Sequence, residues 1–263
     1  MDQTPRRPPV LELLQLSPSL GTIAVTSQES VMSRQDLADI ASEQWGLITT
    51  AQAEAAGSSR KAVGRLAQSG ALERLAHGVY RLTGAPSDPR DDLRAAWLAL
   101  DPARTAGERL RDELPEVVSH RSAAALYELG DLDADRHEFT VAGRRQTRRN
   151  DVRFHRATLS SGDWGIVHGL PCTTVIRTIT DLAAARTDGG HLAAVVRDAL
   201  TVRHVDVDQL AHALSPYAAR YGAHDGDGES LLIRFLEDAG VPRAARRTIE
   251  LATRGRTAAD RVR

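Results

Sequence analysis

The sequence contains one cysteine, Cys172, among 263 residues. A single cysteine excludes an internal disulfide and a zinc site built on several cysteines of one chain. We therefore expect a buried structural thiol in a reduced, cytoplasmic protein. Aromatic residues make up only 4% of the chain, and no run of 18 apolar residues occurs, so the sequence predicts no membrane span.

Charge of one sign is not in excess, because the formal net charge is −1. A uniformly basic coat for nucleic acid is therefore excluded, and any contact with a polyanion must come from local patches. Lys61 is the only lysine among 34 basic residues. Because such a strong preference for arginine over lysine fits a compositional bias, only the positions of the arginines can indicate a contact with nucleic acid.

The length favours two domains, and 41% hydrophobic with 26% charged residues is typical of soluble globular proteins. We expect a poorly ordered leader over residues 1–31, with Met32 as an alternative start because Ser33 is a good N-cap. The remaining predicted units are a DNA-binding domain over residues 32–84, a C-terminal domain over 85–240, and a basic, flexible tail over 241–263.

A helix-turn-helix pattern lies within the segment from Gly46 to Leu82. Helical spacing of apolar residues predicts a first helix over about 34–44. Thr49 or Thr50 can cap a second helix that ends near Ala56, and Gly57 supplies a sharp turn. Ser58 or Ser59 can cap a third helix that runs to about Gln68. Two short helices joined by a tight turn containing glycine form this motif.

The third helix has an apolar face and a polar face. Val63, Leu66 and Ala67 are expected to pack inward, while Lys61, Gly64 and Arg65 lie on the opposite side. Recognition helices present such a face to the major groove, where arginine can read guanine and glutamine can read adenine. Gly64 costs about 1 kcal/mol relative to alanine in a helix, which suggests a close approach of the backbone to DNA. The alternative is an ordinary solvated helix face.

A basic hairpin is predicted next, with strands over 71–75 and 79–82 and a turn at 76–78. Between Gly57 and Gly84 the chain has five basic residues and one acidic residue, Glu73. This segregation favours DNA binding. The residues expected to contact DNA are Thr50, Ser58, Ser59, Arg60, Lys61, Arg65, Gln68, Arg74, His77 and Arg81.

The segment after residue 85 mixes predicted helices and strands. Residues 86–90 are typical of a linker. Strands are predicted over 137–141 and 151–155, joined by a charged hairpin, and over 164–167. Helices are predicted over 91–100 and within 117–127, and over 190–200, 206–221 and 229–239. Residues 170–182 are expected to lead from a turn into a further helix that Thr173 or Thr174 caps. The expected fold class is α+β: a winged helix-turn-helix domain followed by a mixed α/β domain with a small antiparallel sheet and several helices.

A second basic cluster lies on that predicted hairpin, where thirteen residues contain six arginines and only one acidic residue, Asp151. It can dock DNA phosphates, RNA or an acidic protein surface, or it can be a solvated hairpin tip. Its members are Arg144, Arg145, Arg148, Arg149, Arg153 and Arg156.

Both segments resemble the AbiEi family of antitoxins from type IV toxin–antitoxin systems. The matching text is GLITTAQA, GSSR, GALER and HGVYRL in the first segment, and VSHRSAA with GLPCTTVIRTITDLA in the second. The resemblance implies a winged helix that represses its own promoter at inverted repeats of double-stranded DNA. It also implies a C-terminal domain that counteracts a nucleotidyltransferase-type toxin, with a motif that includes His120, Arg121, Arg177 and Asp181.

The residues of the second segment, taken by themselves, form no clear catalytic pattern. Arg177 and Asp181 are four apart on one helix face and can form an ion pair. His120 and Arg121 can hold an anion or serve the structure. His155 and His168 lack metal-ligand spacing. We therefore predict no metal site, no cofactor and no enzyme activity.

Two rival functions stay open. Residues 229–242 resemble the entry helix of very-short-patch-repair-like endonuclease domains, but after Pro242 only Glu250 and Asp260 remain to hold Mg²⁺, so the catalytic part is missing. The stronger rival is a stand-alone winged-helix transcriptional regulator without a toxin partner.

Overall fold

The computed structural model describes residues 34–247. The predicted leader, the alternative start at Met32 and the tail beyond residue 247 lie outside the described residues. Among the helices of residues 34–247, none is long and apolar enough to cross a membrane.

The first part of the chain folds as a winged helix, as predicted. Its three-stranded antiparallel sheet has the order β1-β3-β2. Residues 47–49, which lie between the first two predicted helices, form strand β1 because they pair with β3 of the hairpin. The elements are α1 (Arg34–Ser42), β1 (Leu47–Thr49), α2 (Thr50–Ala55), α3 (Arg60–Gln68), β2 (Leu72–Ala76) and β3 (Val79–Leu82).

Side-chain caps determine where α2 and α3 begin. The Thr49 hydroxyl accepts a hydrogen bond from the Gln52 amide at 3.0 Å, and the Gln52 side chain accepts one from the Thr49 amide at 3.0 Å. This reciprocal pair is a capping box. Ser59 caps α3 by accepting from the Ala62 amide at 3.2 Å. Apolar residues from all three helices and from strands β1 and β2 form a small core: Leu37, Ile48, Ala53, Val63 and Leu72.

The second part of the chain contains a five-stranded sheet and a layer of helices. The elements of its first half are α4 (Asp91–Leu98), α5 (Ala106–Arg109), β4 (Val117–Val118), α6 (His120–Leu126), β5 (His137–Val141) and β6 (Val152–Arg156). Those of its second half are β7 (Trp164–Val167), β8 (Leu170–Thr173), α7 (Val175–Ala184), α8 (Gly189–Thr201), α9 (Val207–Leu214), two 3-10 turns (Ser215–Tyr217 and Ala219–Tyr221) and α10 (Gly228–Asp238).

The larger sheet is mixed, with the order β6-β5-β4-β8-β7. β4 pairs with β5 and β7 pairs with β8 in the antiparallel sense, whereas β4–β8 and β5–β6 are parallel. The predicted charged hairpin between β5 and β6 is therefore wrong. His137 pairs with Val152 and Val141 with Arg156, so the connection over residues 142–151 must return along the length of the strand before β6 can start.

Two further elements differ from the prediction in the same region. Residues 170–173, expected to be a turn, form strand β8, which folds back on β7 through His168 and Gly169. Val117 and Val118, expected to be helical, form the short central strand β4, and α6 begins only at His120. Both short strands are fully buried, so burial on both faces rather than an alternating pattern marks them.

One hydrophobic core extends through both parts of the chain. Leu47 and Val79 of the winged helix pack in the same cluster as Trp97, Val118 and Phe139 of the second part. Polar contacts cross at the same place: the Thr49 hydroxyl donates to the Pro102 carbonyl, and the Gln52 side-chain amide donates to the Arg104 carbonyl at 2.9 Å. The winged helix is therefore held in one orientation against the larger sheet.

Candidate nucleic-acid interface

The outer face of α3 carries exposed polar side chains. Lys61, Arg65 and Gln68 are exposed, as are Ser59 and Arg60 at the start of the helix. Arg60 lies 3.2 Å from Glu54, but its side chain remains 81% exposed, so this ion pair contributes little to stability. The helix thus presents three basic side chains and one amide side chain to solvent in the geometry that recognition helices use.

Gly64 lies in the middle of this face. A Cβ added at Gly64 would meet nothing within 4 Å in the described part of the chain beyond the backbone of its own helix and adjoining residues. The surrounding fold therefore does not require glycine at this position. A close approach of another molecule to the α3 backbone would require it.

Two of the predicted contact residues lie behind this face. Ser58 is only 8% exposed, and its amide donates to the Ala53 carbonyl at 2.8 Å in the turn between α2 and α3. Thr50 is half-buried, and its hydroxyl lies 3.4 Å from the Gly78 carbonyl of the wing turn. The Ser58 amide and the Thr50 hydroxyl thus make contacts that hold the helices and the wing turn, and direct contact of either side chain with DNA stays a prediction.

The three predicted wing residues fall into two kinds. Arg74 and His77 are exposed at the tip, with Arg74 Nη2 3.1 Å from His77 Nδ1. Arg81 instead turns inward: Nη2 lies 2.5 Å from Glu73 Oε2, Nη1 lies 2.9 Å from Asp91 Oδ2, and the side chain is 15% exposed. Arg81 therefore joins the wing to the start of α4, while Arg74 and His77 remain available to a phosphate backbone.

The second basic cluster is divided in the same way. Arg144, Arg148, Arg153 and Arg156 are exposed on the 142–151 connection and β6. Arg145 folds back onto the Phe154 ring at 5.3 Å, pairs with Glu116 and donates to the Leu100 carbonyl. Arg149 pairs with Asp151 at 2.5 Å. Four of the six arginines are therefore exposed, and one of them, Arg153, also lies 3.8 Å from Glu138.

The two sequence blocks of the second part meet in space. Val118 of β4 pairs with Cys172 of β8, and the helices that follow these strands, α6 and α7, pack on each other. Cys172 is fully buried, and burial raises the pKa of its thiol to about 12. The thiol is therefore buried, as the sequence predicted, and a raised pKa keeps it protonated at neutral pH.

Arg177 lies at the junction of these blocks. Its Nε donates to Asp181 Oδ1 at 2.8 Å, so the predicted ion pair forms, and its Nη1 lies 3.4 Å from Asp163 Oδ2. Arg121 is exposed and donates to the Asp133 carbonyl at 3.1 Å. Burial raises the pKa of Asp181 despite the opposing effect of Arg177.

His120 is the fourth residue of the predicted motif, and its neighbours are Glu138 and His155. The His120 and His155 rings stack with centroids 3.5 Å apart and an angle of 13° between their planes. Burial, then the nearby His155, lowers the pKa of His120 to about 3. Burial opposes ionisation of Glu138, but His155 and the Arg121 amide outweigh it and lower the pKa of this carboxyl.

The sequence does not predict that these three residues lie together. From the sequence, His120 and His155 are separate candidates and Glu138 is not a candidate, because each lies far from the others along the chain. The available signal was the alternation of β5 and β6, which places Glu138 and His155 on one face if the two strands pair in parallel.

Comparison with known proteins bears on the first part of the chain. Residues 35–83 match the model of a family described as a transcriptional regulator, AbiEi antitoxin. The predicted resemblance to AbiEi antitoxins is therefore confirmed for this segment, which coincides with α1 to β3. No curated protein matches the sequence. The crystal structure of the RV2827C protein from Mycobacterium tuberculosis is similar, with a TM-score of 0.46 and 17% identity, over 82% of this chain and 79% of that chain.

Proposed function

We propose that the protein binds double-stranded DNA at its own promoter and represses transcription through the winged helix. The observation that carries this proposal is the coincidence of the AbiEi-type match over residues 35–83 with the exposed basic face of α3. In this proposal Arg65 and Gln68 contact base edges, and Lys61 contacts the DNA backbone. Arg74 and His77 extend the same surface to flanking phosphates.

DNA titrations test this assignment. Fluorescence anisotropy with a duplex from the chain's own promoter should show specific binding that weakens steeply as salt rises, because arginine contacts release counterions. Arg65→Ala should lower the specific affinity by about 1–3 kcal/mol. Arg234→Ala on α10 removes an equal charge from an exposed site outside the winged helix and should bind as the wild type does. Equal affinities for the two variants would rule out α3 as the recognition helix.

We further propose that the second part of the chain counteracts a nucleotidyltransferase-type toxin encoded beside it. Support comes from the two AbiEi-like sequence blocks, which form adjoining strands β4 and β8 and adjoining helices α6 and α7. The exposed side chains of Arg144, Arg148, Arg153 and Arg156 are cationic groups that an acidic protein or nucleic acid can contact. No catalytic role is assigned to the chain.

Growth rescue in a host that expresses the adjacent gene tests the antitoxin function. The full chain carrying Arg60→Ala and Arg65→Ala should still restore growth from an unrelated promoter, because repression and neutralisation use different surfaces. Arg148→Ala with Arg153→Ala should lose rescue while retaining promoter binding. If the neighbouring gene is not toxic, or the wild-type chain does not rescue growth, the protein acts as a stand-alone regulator.

A further inference from the structure

Three side chains that differ in sequence position by up to 35 residues converge beside the edge of the larger sheet. His120 begins α6, Glu138 lies on β5, and His155 lies on β6. One potential ligand atom from each residue lies within 4.8 Å of the others. In a tetrahedral zinc site with bonds of about 2.0–2.1 Å, ligand atoms are about 3.4 Å apart, so these atoms must move closer together to bind one ion.

The fold places all three residues on one side of the sheet. In the parallel β5–β6 pair, Glu138 lies opposite Arg153 and Thr140 lies opposite His155, so Glu138 and His155 point to the same face. His120 has a φ of 52°, a left-handed conformation that is uncommon for a residue other than glycine. This conformation sets the direction of the His120 side chain at the point where β4 leads into α6.

The polar atoms of the cluster are incompletely satisfied. His120 Nδ1 lies 3.0 Å from the Ser119 hydroxyl, which leaves Nε2 as the nitrogen available to an ion. His155 Nε2 is buried and has no hydrogen-bond partner within residues 34–247. Its separation of 3.6 Å from Glu138 Oε2 exceeds a hydrogen bond. A buried nitrogen in this state costs free energy unless another group binds it.

We propose that His120, Glu138 and His155 bind one divalent transition-metal ion of the Zn²⁺ class. Two imidazole nitrogens and one carboxylate oxygen suit Zn²⁺ and are a poor donor set for Mg²⁺, which prefers oxygen ligands. The ion ties the start of α6 to two strands of the sheet. The Ser119 hydroxyl and the Arg121 amide, which donates to Glu138 Oε2 at 3.1 Å, orient two of the ligands, as outer-sphere groups do at metal sites.

Binding requires a change in the ring stack. An ion lies near the plane of each imidazole that binds it, and two parallel rings 3.5 Å apart cannot both direct a nitrogen to one point. The ring of His155 lies on a strand at the edge of the sheet and is 16% exposed, so it is the ring that turns.

Isothermal titration of the untagged, chelator-treated full chain with ZnCl₂ tests the proposal, with MgCl₂ as the comparison ion. The expected result is one Zn²⁺ per chain, no heat from Mg²⁺, and shifted ring proton signals of His120 and His155 in NMR spectra. His155→Gln and Glu138→Gln should each weaken Zn²⁺ binding about tenfold or more. His191→Gln is the matched control, because this histidine is exposed and pairs with Asp131.

Two outcomes overturn the proposal. One is the absence of stoichiometric Zn²⁺ binding by the wild-type chain. The other is equal Zn²⁺ affinity of His155→Gln and His191→Gln, which assigns any binding to surface histidines. Because His155 is at the sheet edge, circular dichroism should show that His155→Gln is folded. If it is not, the NMR shifts of the wild-type rings decide, and unshifted rings under saturating Zn²⁺ refute the site.

Discussion

Arg81, on the last strand of the wing, and Asp91, at the start of α4, form an ion pair with 2.9 Å between Nη1 and Oδ2. Asp91 is 5% exposed and also accepts hydrogen bonds from the Asp88 amide at 3.0 Å and from Arg94 at 3.3 Å. The pair therefore joins the winged helix to the rest of the fold through a buried carboxylate.

This relationship separates two arginines that look equivalent in the sequence. Arg81→Ala should lower the free energy of unfolding by about 1–3 kcal/mol, because it removes a partner of a buried carboxylate. Arg74→Ala should leave stability unchanged and weaken DNA binding, because Arg74 is exposed at the wing tip. Urea unfolding and DNA titration of both variants measure this contrast. A stable Arg81→Ala protein with reduced DNA affinity would show that Arg81 contacts phosphate directly.

Replacement of Gly64 should change the stability of the protein and its DNA affinity in opposite directions. Gly64→Ala should raise the free energy of unfolding by about 1 kcal/mol, because alanine favours the helix and the added methyl group meets open space. The same change should lower DNA affinity severalfold if the α3 backbone approaches the DNA closely. Thermal unfolding and anisotropy of the one variant give both numbers. Unchanged affinity would mean that Gly64 does not face the groove.

The position of the winged helix against the larger sheet depends on Gly169. A Cβ at Gly169 would lie 2.6 Å from Trp45 Nε1, and Trp45 also meets Trp97 edge-on, with ring centroids 6.3 Å apart. Gly169→Ala should therefore cost about 1–3 kcal/mol of stability through overpacking, beyond the cost of its positive φ.

Gly84→Ala is the control for that change, because Gly84 has a similar positive φ of 98° and open space around it. Chemical denaturation of both variants isolates the contribution of the clash. Equal losses would indicate that the Trp45 contact does not hold the two parts together.

Acid should destabilise the protein through His120. Its pKa is about 3 in the folded chain against about 6.5 in an unfolded chain, so the unfolded chain binds more protons between these values. Stability is therefore complete above about pH 6.5 and falls by up to about 1.4 kcal/mol per pH unit below it. Burial is the main cause of this lowered pKa; the facing groups His155, Arg153 and Arg177 lower it further, and Glu138 opposes them.

His120→Asn should flatten this dependence, because asparagine tolerates a positive φ and does not titrate. Urea unfolding of both proteins at pH 6.5 and 5, in the presence of a chelator, gives the two slopes. Identical slopes would show that His120 takes up no proton on unfolding.

The winged helix was predictable in detail because its signals are local. Thr49 and Ser59 cap helices that begin at the next residue, and the apolar spacing of α3 alone indicates its buried face. The resemblance of the first segment to AbiEi antitoxins depended on the same short stretches. In the second part, Thr174 caps α7 as predicted, again through a contact within three residues.

Only the tertiary structure decided the relations between distant residues. The residue pattern of a strand does not indicate whether its neighbour runs parallel or antiparallel. The parallel pairing of β5 with β6 therefore follows only from the path of the 142–151 connection in the folded chain. That pairing brings His155 to Glu138 and His120. In the same way, the inward turn of Arg81 depends on Asp91 being buried beside it. Local side-chain chemistry determined the caps and helix faces, while long-range packing determined which charged and titratable groups meet.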